Sequence, residues 1–148
     1  MLRGSLSFAL GFALVYGVTG CGGGGTPVKG KVLLNGTPVA GAEVLFENKS
    51  KGSEGRYTAR TDSDGNFQVP PVGGKSMKPG RYKVLIAQWV DKNKKVPSEE
   101  DYGQLKASGV LKNNLPSKYN DADFTDLQVE IKDGTSILPP FDLKGAKQ

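Results

Sequence analysis

Between residues 27 and 144 apolar and polar side chains alternate with a period of two, and turn residues interrupt the alternation every few positions. A strand sends successive side chains to opposite faces, so this pattern specifies half-buried strands. No segment holds a 3.6-residue period over several turns. Val28, Gly30, Val32 and Leu34 share one face against Lys29 and Lys31. Asn35-Gly36 follows, a hairpin signal because both residues tolerate positive φ. Ala42, Val44 and Phe46 then alternate with Glu43, Leu45 and Glu47. Tyr57, Ala59 and Thr61 point inward, and so do Phe67 and Val69 beyond the turn Asp62-Ser63-Asp64-Gly65. Pro70-Pro71 ends that strand, because proline cannot donate to a ladder. After Pro79-Gly80, Tyr82, Val84 and Ile86 form one face; Leu127, Val129 and Ile131 repeat the pattern, and Phe141 and Leu143 close it. Seven short strands separated by turns predict an all-β fold, a seven-stranded antiparallel β-sandwich over residues 26–148.

Composition narrows the chemistry. The 148 residues contain no His and one Cys. Histidine-based triads, His general bases and His metal ligands are excluded, as are an internal disulfide and a Cys-based zinc site. No serine sits in a nucleophile elbow. The expectation is a non-enzyme with no metal and no cofactor. The net charge of +5 is scattered, and Lys92, Lys94 and Lys95 are followed at once by Glu99, Glu100 and Asp101. That is a solvated surface rather than a nucleic-acid patch.

The N-terminus is a processing signal. Leu6 to Val18 is a 13-residue apolar stretch preceded by Arg3, the length of a signal h-region and short for a membrane span. It ends in Val18-Thr19-Gly20-Cys21, which resembles the bacterial lipobox. That resemblance implies a signal helix within residues 1–20, cleavage between Gly20 and Cys21, and diacylglyceryl transfer to the Cys21 sulfur. Gly22 to Gly25 break any continuing helix, which argues against a transmembrane anchor, so residues 21–25 become a lipidated cysteine and a flexible tether. Acyl chains on Cys21 anchor stably when more than one is present. Removing Arg3 with the signal takes the charge from +5 to +4. The expected location is extracytoplasmic, on the outer membrane or a periplasmic face.

Three motifs then carry a family resemblance. Residues 32–44, with Gly36-Thr37-Pro38-Val39-Ala40-Gly41-Ala42-Glu43-Val44, resemble the opening of carboxypeptidase regulatory-like domains. Thr61-Asp62-Ser63-Asp64-Gly65-Asn66-Phe67 and Pro79-Gly80-Arg81-Tyr82-Lys83-Val84 resemble their second and third hallmarks. Leu115-Pro116-Ser117-Lys118-Tyr119-Asn120 and the later strands are similar to small planctomycete envelope lipoproteins. The resemblance implies a transthyretin-like (prealbumin-like) sandwich of seven strands and no catalytic activity.

Candidate ligand contacts are few. Trp89 is the sole tryptophan, and its parity places it with Leu85 and Ala87, opposite Tyr82, Val84 and Ile86. An exposed Trp can stack on a sugar or anchor a partner. Residues 91–126 lack strand patterning and carry Tyr102 and Tyr119, two further candidate contacts. Ser98 can cap a short helix with Glu99, Glu100 and Asp101 in its first turn, limited by Gly103 and Gly109. Asp62 and Asp64 have calcium-loop spacing, but position twelve is Gly73 rather than Glu, so a hairpin turn is the better reading. The chain is thus expected to be a membrane-anchored binding or scaffolding module for an envelope protein. The alternative is a carbohydrate-binding lipoprotein that uses Trp89 and nearby tyrosines as a stacking platform.

Overall fold

The computed structural model describes residues 24–50 and 55–147. The signal segment 1–20, its cleavage point after Gly20, and Cys21 lie outside the described residues. Two sheets face each other. In the first, β1 (Val28–Leu34) pairs antiparallel with β5 (Asn66–Val69) along its first half and with the two-residue β2 (Thr37–Pro38) at its end. In the second, β3 (Ala42–Glu47) lies between β4 (Arg56–Arg60) and β6 (Gly80–Val90). The free edge of β6 takes β8 (Gln128–Ile131) at its start and β7 (Lys112–Asn113) at its end.

The last strand, β9 (Phe141–Leu143), returns to the first sheet and pairs with β1 in parallel. This departs from an all-antiparallel expectation. Alternation sets which face a residue takes, but it leaves strand direction open. Neighbours joined by a hairpin must be antiparallel, whereas β1 and β9 are the first and last strands and no short link constrains them. All seven strand segments read from the sequence are strands. The two additions, β2 and β7, have two residues each, too short to show a period.

Inward faces follow the sequence parity. Val44 and Phe46 of β3, Tyr82, Val84 and Ile86 of β6, and Val28 and Val32 of β1 are buried in one cluster. Phe46 bridges the sheets, with its ring 5.9 Å from Phe67 and 6.3 Å from Phe141. Phe67 and Phe141 stack at 6.1 Å and 10°. Gly30 lies opposite Phe67 in the β1–β5 register, and a Cβ there would stand 2.4 Å from the Phe67 ring. A side chain at position 30 would displace the ring that joins the layers. The Asn35-Gly36 turn forms as read, with φ of 51° and 81°. Asp142 in β9 accepts the Gly36 N–H at 2.9 Å, which ties the turn to the last strand.

Residues 91–126 are less irregular than their sequence suggests. They hold helix α1 (Glu99–Ala107), β7 and a 3-10 turn at Ser117–Asn120. Ser98 caps α1 by accepting the Asp101 N–H at 3.2 Å, and its hydroxyl donates to the Asp101 carboxylate at 2.7 Å. Gly103 lies inside the helix rather than ending it. Gly109, at φ 72°, follows the C-cap Ser108. Leu111, Leu115 and Tyr119 are buried, so this excursion covers one flank of the sandwich.

Tyr82 gives the fold an alkaline limit. Its ring packs edge-on at 5.9 Å from Tyr57, and its hydroxyl donates to the Lys78 carbonyl at 2.7 Å. Burial, and next the Tyr57 phenol, lift its pKa from 10.0 to about 12. The unfolded chain gives up this proton near pH 10, while the folded state keeps it to about 12. The stabilisation is therefore complete below pH 10 and is lost as pH climbs to about 12. Denaturant midpoints measured from neutral pH upward should fall across that window. Tyr82→Phe should cost about 1 kcal/mol at neutral pH and flatten the alkaline fall.

Candidate functional site

The outer face of the second sheet carries two of the three candidate contacts read from the sequence, Trp89 and Tyr102. Cross-strand register sets Arg60 of β4, Glu43 of β3 and Ala87 of β6 in one row, with Trp89 two residues further along β6. Helix α1 lies over this row. Tyr102 and Lys106 are four apart on α1 and so share a face. The Tyr102 hydroxyl donates to Glu43 at 2.7 Å, and the Lys106 ammonium reaches both Glu43 oxygens at 2.6 Å. Arg60 spreads its guanidinium 4.1 Å from the Tyr102 ring centroid. It also pairs with Glu99 at 2.8 Å and donates to the Pro97 carbonyl at 3.0 Å. Lys106 sits 5.4 Å from the Trp89 ring and 5.6 Å from the Tyr102 ring.

The electrostatics are self-contained. Burial, and then the hydrogen bond to Glu43, push the Tyr102 phenol well above its usual value, so it stays a donor. Glu43 is the hub: one carboxylate accepts from a phenol and an ammonium. No helix residue is fully buried, and Tyr102, Leu105 and Lys106 are half-buried. Charged contacts rather than a continuous apolar face hold it.

Trp89 is half-buried beneath α1. Its indole nitrogen is buried without a hydrogen-bond partner among the described residues. Trp89 and Tyr102 both lie near Lys106, and cations of the same chain occupy their ring faces. Tyr119 does not join them. It is 3% exposed in the core, and its hydroxyl accepts the Lys144 N–H at 2.8 Å and faces the Lys144 carbonyl at 3.3 Å. Tyr119 lies in a stretch without a period by which its burial could be read. No site role for Glu43, Arg60 or Lys106 followed from the sequence. Their signal was present in the outward parity of Glu43 and in the Glu99, Tyr102, Lys106 spacing.

A cavity of about 570 Å³ opens beside this cluster, lined by Val90, Lys92, Lys112 and Asn114 among others. Its volume falls within the usual range for small-molecule sites. One wall is the turn Asp91–Lys95, whose Asp91 carboxylate accepts the N–H groups of Asn93 and Lys95 at 2.8 and 2.9 Å. Lys94 occupies the left-handed region at φ 58°, a position that suits Gly or Asn better. Asn114 is oriented by a chain of bonds. Gln88 donates its amide to the Ala40 carbonyl at 2.8 Å, so its oxygen faces Asn114, which donates to it at 2.8 Å. The Asn114 oxygen is left buried and without a partner among the described residues.

The Asp62 turn uses its carboxylate internally. One Asp62 oxygen accepts the N–H groups of Asp64 and Asn66, each at 2.9 Å. These bonds, led by the one from Asn66, hold its pKa below the usual carboxylate value. Those bonds bear out the turn but not the hairpin: β4 lies in the second sheet and β5 in the first, so residues 62–65 cross between the layers, a choice that local turn chemistry leaves open.

Removing the hub tests the arrangement. Glu43→Ala leaves Lys106 and Tyr102 without their acceptor and should loosen α1 by about 1 kcal/mol. Amide exchange within residues 99–107 should then quicken roughly fivefold to tenfold, and Trp89 emission should move to the red, while the β3–β6 amides stay protected.

Residues 28–97 match a family model described as "Domain of unknown function (DUF6795)". The match runs from β1 to the approach of α1. It includes Glu43, Arg60 and Trp89 but not Tyr102 or Lys106. No curated protein and no solved structure matches the chain.

Proposed function

We propose that this chain is a lipid-anchored, non-catalytic envelope protein whose β-sandwich is a binding or scaffolding module. The observation that carries the reading is the placement of two features at opposite ends of β6. The chain joins the folded body at Gly25, four residues after Cys21, where the Gly25 N–H donates to the Gly74 carbonyl at 2.7 Å. The aromatic and ionic cluster and the neighbouring cavity lie at the other end. The cluster lies at Ala87 and Trp89, so at ~3.3 Å per residue it stands roughly 23–30 Å along β6 from Gly80. A tether at one end and a recognition surface at the other is the geometry of a module that presents its recognition surface away from a membrane. The strand set β1, β3 to β6, β8 and β9 also supports a carboxypeptidase regulatory-like, transthyretin-like arrangement, with β2 and β7 as additions.

The anchor is tested by expressing the full chain in a bacterial host that processes lipoproteins. Labelled fatty acid should enter the protein, the mature N-terminus should be Cys21, and the protein should fractionate with membranes. Cys21→Ser should abolish labelling and cleavage and leave a precursor. Labelling that persists in Cys21→Ser would defeat the reading.

A second reading, carbohydrate binding, draws on one contact. Trp89 pairs in register with Asn113, and Asn113 and Asn114 border the cavity. An occupant would therefore be felt by the sole tryptophan. This reading ranks second because Lys106 and Arg60 already cover the Trp89 and Tyr102 faces. Titration of envelope polysaccharides against Trp89 emission decides it. A saturable shift that Trp89→Ala removes without loss of the circular-dichroism spectrum supports a glycan site. A flat response with every glycan, and emission already blue-shifted, rejects it.

A further inference from the structure

The end of the sandwich that receives the tether has a surface chemistry of its own. β5 ends at Val69, opposite Val28, so residues 70–75 project past the start of β1. There Val72 and Lys75 exchange two backbone hydrogen bonds, at 3.0 and 3.1 Å, across the tip Gly73-Gly74. Both glycines have positive φ, 58° and 72°, as a tight two-residue turn requires. The result is a short, well-defined finger that carries Val72 and Lys75 side by side.

The tether is bonded to this finger. Besides the Gly25–Gly74 bond, the Thr26 N–H donates to the Ser76 hydroxyl at 2.7 Å. A Cβ at Gly25 would stand 2.1 Å from the Ser76 nitrogen, so the backbones are in direct contact. Four residues of fully extended chain reach ~14 Å, so Cys21 is confined to about that distance from Gly25. Wherever acyl chains on Cys21 enter a bilayer, the finger is held near its surface.

Two exposed aliphatic residues mark the same end. Val72 is 65% exposed and Ile137 is 78% exposed. Ile137 bridges to Lys29 at the start of β1, which places it beside the tether. Single exposed aliphatics are ordinary, but these two share one end with a cluster of cations. Lys29, Lys75, Lys78, Arg81 and Lys132 lie at or next to this end; Glu130 pairs with Lys132 at 3.9 Å and stands opposite Arg81 in register, and Asp133 is nearby, so the cations stay in excess. Arg56 and Glu47, also at this end, pair with each other at 2.9 Å.

We infer that this end is a docking surface for a bilayer rich in anionic phospholipid, with Val72 and Ile137 seated among the headgroups and the surrounding lysines facing lipid phosphates. The inference rests on the lipid anchor at Cys21 proposed above. It adds that the sandwich lies against the membrane with its tether end down, rather than hanging freely from a flexible leash. Basic clusters next to a membrane anchor gain affinity from the negative surface potential, and the gain falls with salt. The distal cluster around Trp89 and α1 is then presented to the aqueous side.

The test uses the full acylated chain in vesicles of neutral phosphatidylcholine, and in vesicles with one third phosphatidylglycerol. Acylation of Cys21 consumes its thiol, so Val72→Cys offers one site for an environment-sensitive dye, and Lys92→Cys at the distal end is the control. Mass spectrometry confirms acylation, and circular dichroism confirms the fold. On anionic vesicles the dye at position 72 should shift to the blue and be quenched severalfold more by brominated lipid than on neutral ones. The dye at position 92 should respond to neither. Adding Lys29→Glu, Lys75→Glu and Lys132→Glu, or raising the salt, should return the first dye to its aqueous signal while the protein stays anchored. An acylated, folded protein whose dye at position 72 stays aqueous on anionic vesicles overturns the docking and leaves the anchor intact. A protein with no acyl chain on Cys21 overturns both. A dye shielded only after envelope proteins are added assigns this end to a protein partner and overturns the bilayer assignment.

Discussion

The structure depends on β6 being hydrogen-bonded along both edges. Six residues of β3 pair with it on one side, and β8 and β7 share the other. A strand of 11 residues filled in this way fixes the length of the second sheet and gives the molecule two distinct ends. Its inward residues, Tyr82, Val84 and Ile86, supply the floor on which the first sheet rests. Phe46, in the neighbouring β3, then reaches across to Phe67 and Phe141, so the layers are joined by three aromatic rings. Each such ring contributes ~1.5–3 kcal/mol by burial alone, and the absence of a side chain at Gly30 leaves room for one of them.

The outer face of the same sheet is organised by different forces. Helix α1 has an N-cap, acidic residues in its first turn and a basic residue in its last, so its ends are well satisfied. Yet none of its side chains is fully buried, and a nine-residue helix is marginal by itself. What holds it is Glu43, which collects Tyr102 and Lys106, and Arg60, which collects Tyr102, Glu99 and the Pro97 carbonyl. Partly exposed charge contacts are individually weak. The helix is therefore the least tightly held ordered element over the face that carries Trp89, which makes that face the adaptable part of the molecule. The tether end, by contrast, is pinned by backbone contacts between Gly25, Gly74 and Ser76.

Much of the fold was legible because strand parity is local. Once Val44 points inward, Phe46 does too and Glu43 does not, whatever the rest of the chain does. Turn chemistry was legible for the same reason, as Asn35-Gly36 and the Asp62 turn show. Ser98 announced a helix start through its own side chain and the three acids that follow. The candidate site was only half legible. Trp89 and its face followed from parity, but its neighbours come from β3, β4 and α1, and no local pattern brings those together. Tyr119 was misplaced because it sits in a 3-10 turn without a period, where burial depends on which flank of the sandwich the segment crosses.

The sequence by itself determined the all-β character, the inward and outward residues of each strand, the turns, and the Val18-Thr19-Gly20-Cys21 segment before the run of four glycines. These depend on side-chain type and on contacts between near neighbours in the chain. Only the tertiary structure decided that β9 runs parallel to β1, that Glu43 gathers Tyr102 and Lys106, and that the Val72–Lys75 finger meets the chain at Gly25. Each of these joins residues tens of positions apart, and the pairing is settled by how two sheets close over one core rather than by any property of either segment alone.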